Sequence, residues 1–231
     1  MSQLNRKQNA SVFDIIGPNM VGPSSSHTAG ALRISLMARS FVEASIRKVT
    51  FILYGSFAHT YKGHGTDKAL LAGILGFKSD DMRIRDSYRL ADEAGLRYEF
   101  IPDTESAAPH PNTVDIIIET ATDEVMTVQG ISIGGGQAVI TAINGVDIEL
   151  SGQYDSLMVQ HLDRPGALAK ITAHLSKQRI NIAALKLYRE SKGLNAFAII
   201  EADERIPREI VDTIAADKGV IKVILIRKTE I

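Results

Sequence analysis

The last third of the chain sets the tightest limit on its fold, because its apolar residues alternate between strand-like and helix-like spacing. From Tyr154 the order reads strand (YDSLMVQHL), turn (DRPG), helix (ALAKITAHLSKQ) and strand (INIAALKLYRE). Strand (LNAFAIIEA), helix (PREIVDTIAAD) and strand (GVIKVILIRK) follow. Leu168, Ile171 and Leu175 form one stripe of the first helix. Pro207 suits the first turn of the second, and Lys218-Gly219 marks its end.

This βαββαβ order is the split ferredoxin-like arrangement, and it assigns residues 153–231 to a domain of their own. Residues 1–150 read as a separate α/β domain, which makes the whole chain α/β in the broad sense and α+β by segregation. SVFDIIGPNMVGP, broken by Pro18 and Pro23, reads as a short helix or turn and then a loop. From Ser26 the spacing of Ile34, Met37, Ala38, Phe41 and Val42 predicts an amphipathic helix. RKVTFILYG predicts a strand, SFAHTYKGHG a polar, glycine-punctuated loop, and TDKALLAGILGF a helix stopped at Gly76. SDDMRIRDSYRLADEAG reads as a more polar helix, LRYEFIPD as a strand and ESAAPHPNT as a loop. From Thr113 the chain turns β-rich, with a hairpin at Asn144-Gly145 and a bulge, turn or close approach at Gly134, Gly135 and Gly136.

Composition narrows the function. A formal net charge of −1 gives no basic surplus for nucleic acid. No apolar stretch is long enough to span a bilayer, so no membrane role is expected. The polar start MSQLNRKQNAS lacks the apolar core of a secretory signal, so a cytoplasmic location is expected. With no cysteine, the chain cannot form a disulfide, supply a cysteine nucleophile or ligate an iron–sulfur cluster through cysteine. The six histidines show no HExxH or HxH spacing, so no metal site is expected within this chain.

Three segments of the first domain carry chemistry: GPSSSHT (22–28), GSFAHTYKGHGTD (55–67) and APHPNT (108–113). Ser24, Ser25, Ser26 and Thr28 are all good helix N-caps, but one cap needs one side chain. Several hydroxyls and His27 at a helix start also suit a carboxylate or phosphate-like anion. No GxSxG elbow is present, and adjacent Ser and His lack the orienting group of a triad, so a serine hydrolase is a poor reading. His64 lies between Gly63 and Gly65, with Thr66 placed to cap the next helix and Asp67 to favour its dipole. His110 is held between two prolines, and Asn112 and Thr113 can bond locally to the turn and fix a rigid corner for the next strand.

HLDRPGALAKITAHLSKQRINIAAL resembles the signature of ACT domains, with Asp163, Pro165, Gly166, Leu168, Asn181 and Ile182 in the signature places. The resemblance implies pairing of ACT domains. It also implies amino-acid binding at His161, Asp163, Gly166 and Asn181, with Asp163 taking the ammonium group and the helix start the carboxylate. Over nearly the whole chain, FDIIGP, SSSHT, GHGTD, HPNT, GGG and the terminal ACT domain together resemble the β part of iron–sulfur-dependent L-serine dehydratases. That resemblance implies loss of water from L-serine, giving pyruvate and ammonia after aminoacrylate rearranges and hydrolyses. It implies a partner α chain whose cysteines hold a 4Fe-4S cluster, this chain holding none. The site residues it implies are Ser24, Ser25, Ser26, His27, Thr28, His64, His110 and Asn112. The first domain also resembles the allosteric substrate-binding domain of some phosphoglycerate dehydrogenases. The same two domains could instead form a stand-alone serine or small-anion sensor, or a scaffold that only assembles a complex.

Overall fold

A computed structural model of the chain describes residues 20–189 and 191–228. Most of the segment SVFDIIGPNMVGP therefore lies outside the described residues. Among the described residues, ten strands form two sheets. β1 (Ile46–Tyr54), β2 (Arg97–Asp103), β3 (Thr113–Thr120), β4 (Val125–Gly134), β5 (Gln137–Ile143) and β6 (Val146–Leu150) build the first, in the order β2-β1-β3-β4-β5-β6. β1 and β2 pair in parallel, so the chain must cross over between them, and three helices lie in that crossover. The remaining pairs are antiparallel. Asn144 (φ 48°) and Gly145 (φ 77°) make the expected turn between β5 and β6, and Gly134 to Gly136, all at positive φ, turn β4 into β5.

The helices of the first unit are α1 (Ala31–Ser40), α2 (Gly55–His64), α3 (Thr66–Leu75) and α4 (Ser87–Glu93). A wide π-type turn, Ser25–Gly30, leads into α1. Alternate residues of β1, Val49, Phe51 and Leu53, and of β3, Val114, Ile116 and Ile118, are buried against Leu32, Ile34, Leu70 and Leu71 of the helices. Helix α1 lies so close to the sheet that a Cβ built on Gly130 would stand 2.4 Å from Ile34 Cγ2.

The structure differs from the sequence-based expectation at two places here. SFAHTYKGHG is helix α2 and not a loop: Phe57 and Ala58 are buried, Tyr61 packs against the core, and Gly63 lies within the helix. Gly65 then ends it in the left-handed region at φ 69°. Residues 79–95 are not one helix but a 3₁₀ turn (Met82–Asp86), capped by the Asp81 carboxylate, followed by the short α4.

The second sheet holds β7 (Asp155–Leu162), β8 (Ile182–Arg189), β9 (Asn195–Ala202) and β10 (Val220–Ile226), in the order β10-β7-β9-β8. Helices α5 (Ala167–Lys177) and α6 (Arg208–Ala215) complete the expected βαββαβ order. Leu157, Val159, Ile171, Leu175, Ile210 and Ile214 form the core between this sheet and its helices. The opposite face of the sheet is not free. Met158, Ile199, Ile224 and Ile226 join the core of the first unit. The buried Arg33 guanidinium donates to the Gly152 carbonyl at 3.2 Å, tying α1 to the connecting segment. Lys186 bonds Glu149, and Lys222 pairs with Glu124 at 2.9 Å, across the same junction.

Helices α1 and α3 meet at Gly73, where an added Cβ would lie 2.5 Å from Ser35 Cβ and 2.6 Å from the Leu32 carbonyl oxygen. Gly63, also inside a helix, has open space around it. An unconstrained helical Gly→Ala change gains up to about 1 kcal/mol, and a close-packed one costs about 1–3 kcal/mol. Denaturant unfolding of the two variants should therefore give opposite signs, Gly63→Ala stabilising the chain and Gly73→Ala destabilising it.

Candidate functional site

The site is assembled at the end of the first sheet where β1 runs into α2. Ser24 is the N-cap of the turn that precedes α1: its Oγ accepts the His27 N–H at 3.2 Å, and its carbonyl accepts the Thr28 N–H at 2.9 Å. Among the serines the capping reading thus holds for Ser24 alone. Ser25 and Ser26, half-buried in the first turn, make no side-chain hydrogen bond among the described residues. Thr28 is buried and donates its Oγ1 hydrogen to the His64 carbonyl at 3.2 Å. A Cβ on Gly22 would stand 2.4 Å from Thr28 Cγ2, so glycine is required where the chain enters the site.

The His27 imidazole is held at both nitrogens. Nε2 is 2.9 Å from Ser56 Oγ, and Nδ1 is 3.4 Å from Ser24 Oγ. Its ring meets Phe57 and His64 edge-on, with centroid separations of 5.4 Å and 4.8 Å. Burial first, and the neighbouring His64 second, lower its pKa below the ordinary imidazole value of 6.5. His64, in the last turn of α2, is exposed, and its ring nitrogens make no hydrogen bond among the described residues. It lines a cavity of about 640 Å³ together with Thr28, Gly65, Lys68 and Arg85.

Thr66 departs from its expected role. It is fully buried, its Oγ1 has no hydrogen-bond partner among the described residues, and the N-cap position of α3 is held by Gly65. Asp67 lies in the first turn of α3 as expected, and its carboxylate accepts from the Lys68 N–H and the Tyr88 hydroxyl. His59 is exposed.

His110 and Asn112 sit one step back from the imidazoles. His110 Nδ1 accepts the Asn112 N–H at 3.1 Å, and Thr113 Oγ1 donates to the His110 carbonyl at 2.6 Å. The Asn112 carbonyl accepts from Ser132 N–H, while its Oδ1 is buried without a partner among the described residues. These bonds make the rigid corner that the prolines and local polar side chains suggest. The same corner also anchors α2, because the Pro111 carbonyl accepts the Ser56 N–H at 2.7 Å at the start of that helix. Gly55, at φ 52°, is pressed so closely on Pro111 that a Cβ would stand 2.7 Å from that carbonyl oxygen. Ser132 closes the other side, its Oγ only 2.0 Å from where a Gly30 Cβ would lie.

Two contributors are not apparent from the sequence. Ser56 is hidden because its segment reads as a loop; Phe57, Ala58 and Tyr61 on one face are the available helical signal. The Pro111 carbonyl is backbone and carries no residue-type signal.

The four residues expected to bind an amino acid in the ACT domain do not all converge within one chain. His161 is buried, with Nδ1 2.9 Å from the Leu162 carbonyl and Nε2 without a partner among the described residues. It lines a cavity of about 260 Å³ with Gly166, the left-handed N-cap of α5, and with Arg164, Lys170 and Lys218. Asp163 faces the β8–β9 hairpin instead. It accepts the Gly193 N–H at 3.0 Å and pairs with Arg189 at 2.8 Å, and these partners hold its carboxyl below the usual range. Asn181 lies at the opposite end of the sheet, bonding Glu204 and Asp203. His174 Nε2 lies 3.0 Å from the Asp217 carboxylate, tying α5 to the segment that follows α6.

A profile of the family described as serine dehydratase beta chain matches residues 11–142. The chain is 43% identical over 214 residues to the probable L-serine dehydratase, beta chain, of Bacillus subtilis, covering 92% of this chain and 96% of that one. It is 42% identical over 205 residues to the L-serine dehydratase, beta chain, of Peptoniphilus asaccharolyticus, covering 88% and 92%. A D-3-phosphoglycerate dehydrogenase of Mycobacterium tuberculosis is 34% identical over 128 residues, 55% of this chain and 24% of that one.

The depressed pKa of His27 has a consequence for stability. Below 6.5 the unfolded chain binds a proton at this residue that the folded chain refuses, so the free energy of unfolding rises with pH through that window. The contribution is complete above 6.5 and is lost as pH falls toward the folded pKa. Thermal unfolding should show the midpoint falling from about pH 7 toward about pH 5, with a shallower slope in His27→Gln.

Proposed function

The chain belongs to the serine dehydratase beta chain family, and on that premise we propose that it is the β chain of an L-serine dehydratase, forming pyruvate and ammonia with a partner α chain. The observation that carries the assignment of roles is the unequal pair of histidines. His27 has both nitrogens engaged, whereas His64, though its ring packs on His27, lines a cavity with ring nitrogens that make no hydrogen bond among the described residues. His64 is therefore the group of this chain suited to take the α-proton of serine, since imidazole transfers protons near neutral pH. The hydroxyls of Ser25 and Ser26, at a helix start, suit the substrate carboxylate. His110 and Asn112 support the site through the Pro111 carbonyl.

A 4Fe-4S cluster does not fit this chain's own donors. It has no cysteine, and among the described residues no group of three or more His, Cys, Asp or Glu could hold a metal. The cluster's ligands would come from the partner α chain, and the bound cluster would supply Lewis acidity. Among the described residues no helix is long and apolar enough to cross a membrane. In the second unit one sheet face is covered by the first unit, which leaves its edges for pairing with a second copy. Leu185 and Leu187, exposed on edge strand β8, support that edge. Asp163 and Asn181, at opposite ends of one sheet, could then meet across two chains.

The chain co-expressed with its α partner and kept from air should release pyruvate from L-serine, and the chain alone should not. His64→Gln in that complex should lower kcat by about 10²–10⁴-fold with little change in KM. Unaltered kcat would remove His64 from the reaction, and absence of pyruvate from an intact, cluster-loaded complex would remove the assignment itself.

A further inference from the structure

We propose that Ser56 is a positioning residue that fixes the orientation of the His27 imidazole, and through that ring the seat of His64. The proposal rests on the reading of His27 and His64 as parts of the serine site. Two contacts could orient the His27 ring, and they are not equal. The Ser24 contact is at 3.4 Å, and that oxygen already accepts the His27 backbone N–H. The Ser56 contact is at 2.9 Å, within the range of a well-formed hydrogen bond. Phe57 and His64 pack edge-on against the ring, at interplanar angles of 67° and 82°. Such packing limits the plane of the ring but distinguishes nitrogen from carbon poorly. A flipped ring would present carbon to Ser56, so the hydroxyl is what selects one orientation.

Ser56 is itself held in place. Its N–H donates to Pro111, its carbonyl accepts Thr60 Oγ1 at 2.7 Å, and it occupies the first turn of α2, the helix that carries His64 in its last turn. One helix thus holds His27 from its beginning and presents His64 at its end. Thr28, next to His27 in the chain, holds the same end through the His64 carbonyl. A change in the His27 ring is passed to His64 by direct contact at 4.8 Å between centroids.

The test uses the full chain with its α partner. Ser56→Ala should lower kcat by about 10–100-fold with KM within about threefold, a loss expected of misplacement and not of lost binding. Ser56→Thr, which keeps the hydroxyl, should restore most of the rate. In a double-mutant cycle, Ser56→Ala should add little to His27→Ala, because both remove one interaction. Long-range ¹H–¹⁵N spectra of the full-length β chain alone give a readout independent of turnover. The wild-type His27 Nε2 should carry the shift of a nitrogen hydrogen-bonded to a hydroxyl, and Ser56→Ala should move it. Unchanged kcat, multiplicative losses in the cycle, or unchanged His27 nitrogen shifts would each overturn the proposal. If the complex forms no pyruvate from L-serine, the functional assignment fails, and the spectra still decide the role of Ser56.

Discussion

The close approach of α1 to the first sheet is the constraint on which the rest depends. It is made possible by side chains that are missing: a Cβ at Gly130 would strike Ile34, and one at Gly30 would strike Ser132. Protein interiors are packed too densely to absorb such overlaps without moving an element. The α1–sheet distance in turn sets where the Ser25–Gly30 turn ends, and hence where His27 stands. On its other side α1 meets α3 at Gly73, so the helix is fixed on two faces by glycine contacts.

With α1 fixed, the site is a matter of hydrogen-bond accounting. The Pro111 carbonyl takes the Ser56 N–H in the first turn of α2, Ser56 takes the His27 ring, and Thr28 takes the carbonyl at the end of the same helix. Each bond ties two segments distant in sequence, so the three segments rise or fall together. Burial first, and the neighbouring His64 second, lower the His27 pKa below the ordinary imidazole value, which disfavours a charged ring beside a second imidazole. The result is a clamped ring beside an open one.

The second unit is coupled to the first through its sheet and not through a tether alone. Residues of β7, β9 and β10 complete the core of the first unit, and Arg33 reaches the Gly152 carbonyl between them. A ligand or second copy bound at the edges of that sheet would therefore act on a surface continuous with α1.

Much of this is legible in the sequence. The βαββαβ order, the Asn144-Gly145 hairpin and the end of α3 at Gly76 follow from local period and turn chemistry, which depend on neighbours along the chain; α1 reads as an amphipathic helix, but it is buried nearly all round, Arg33 and Ser35 included. The segments that carry the candidate site residues are legible too, as clusters of hydroxyl and imidazole beside glycine. Segment 55–64 reads as a loop because glycine and polar residues signal one locally, whereas burial of Phe57 and Ala58 stabilises a helix there. Thr66 reads as a cap, but a good capping residue is one only if the backbone before it leaves room, and Gly65 already fills that place. By itself the sequence determined which residue types gather near which elements. Only the tertiary structure decided which histidine is clamped and which is open, because Ser24, Ser56 and Pro111 come from three separate segments, and their distances are set by packing.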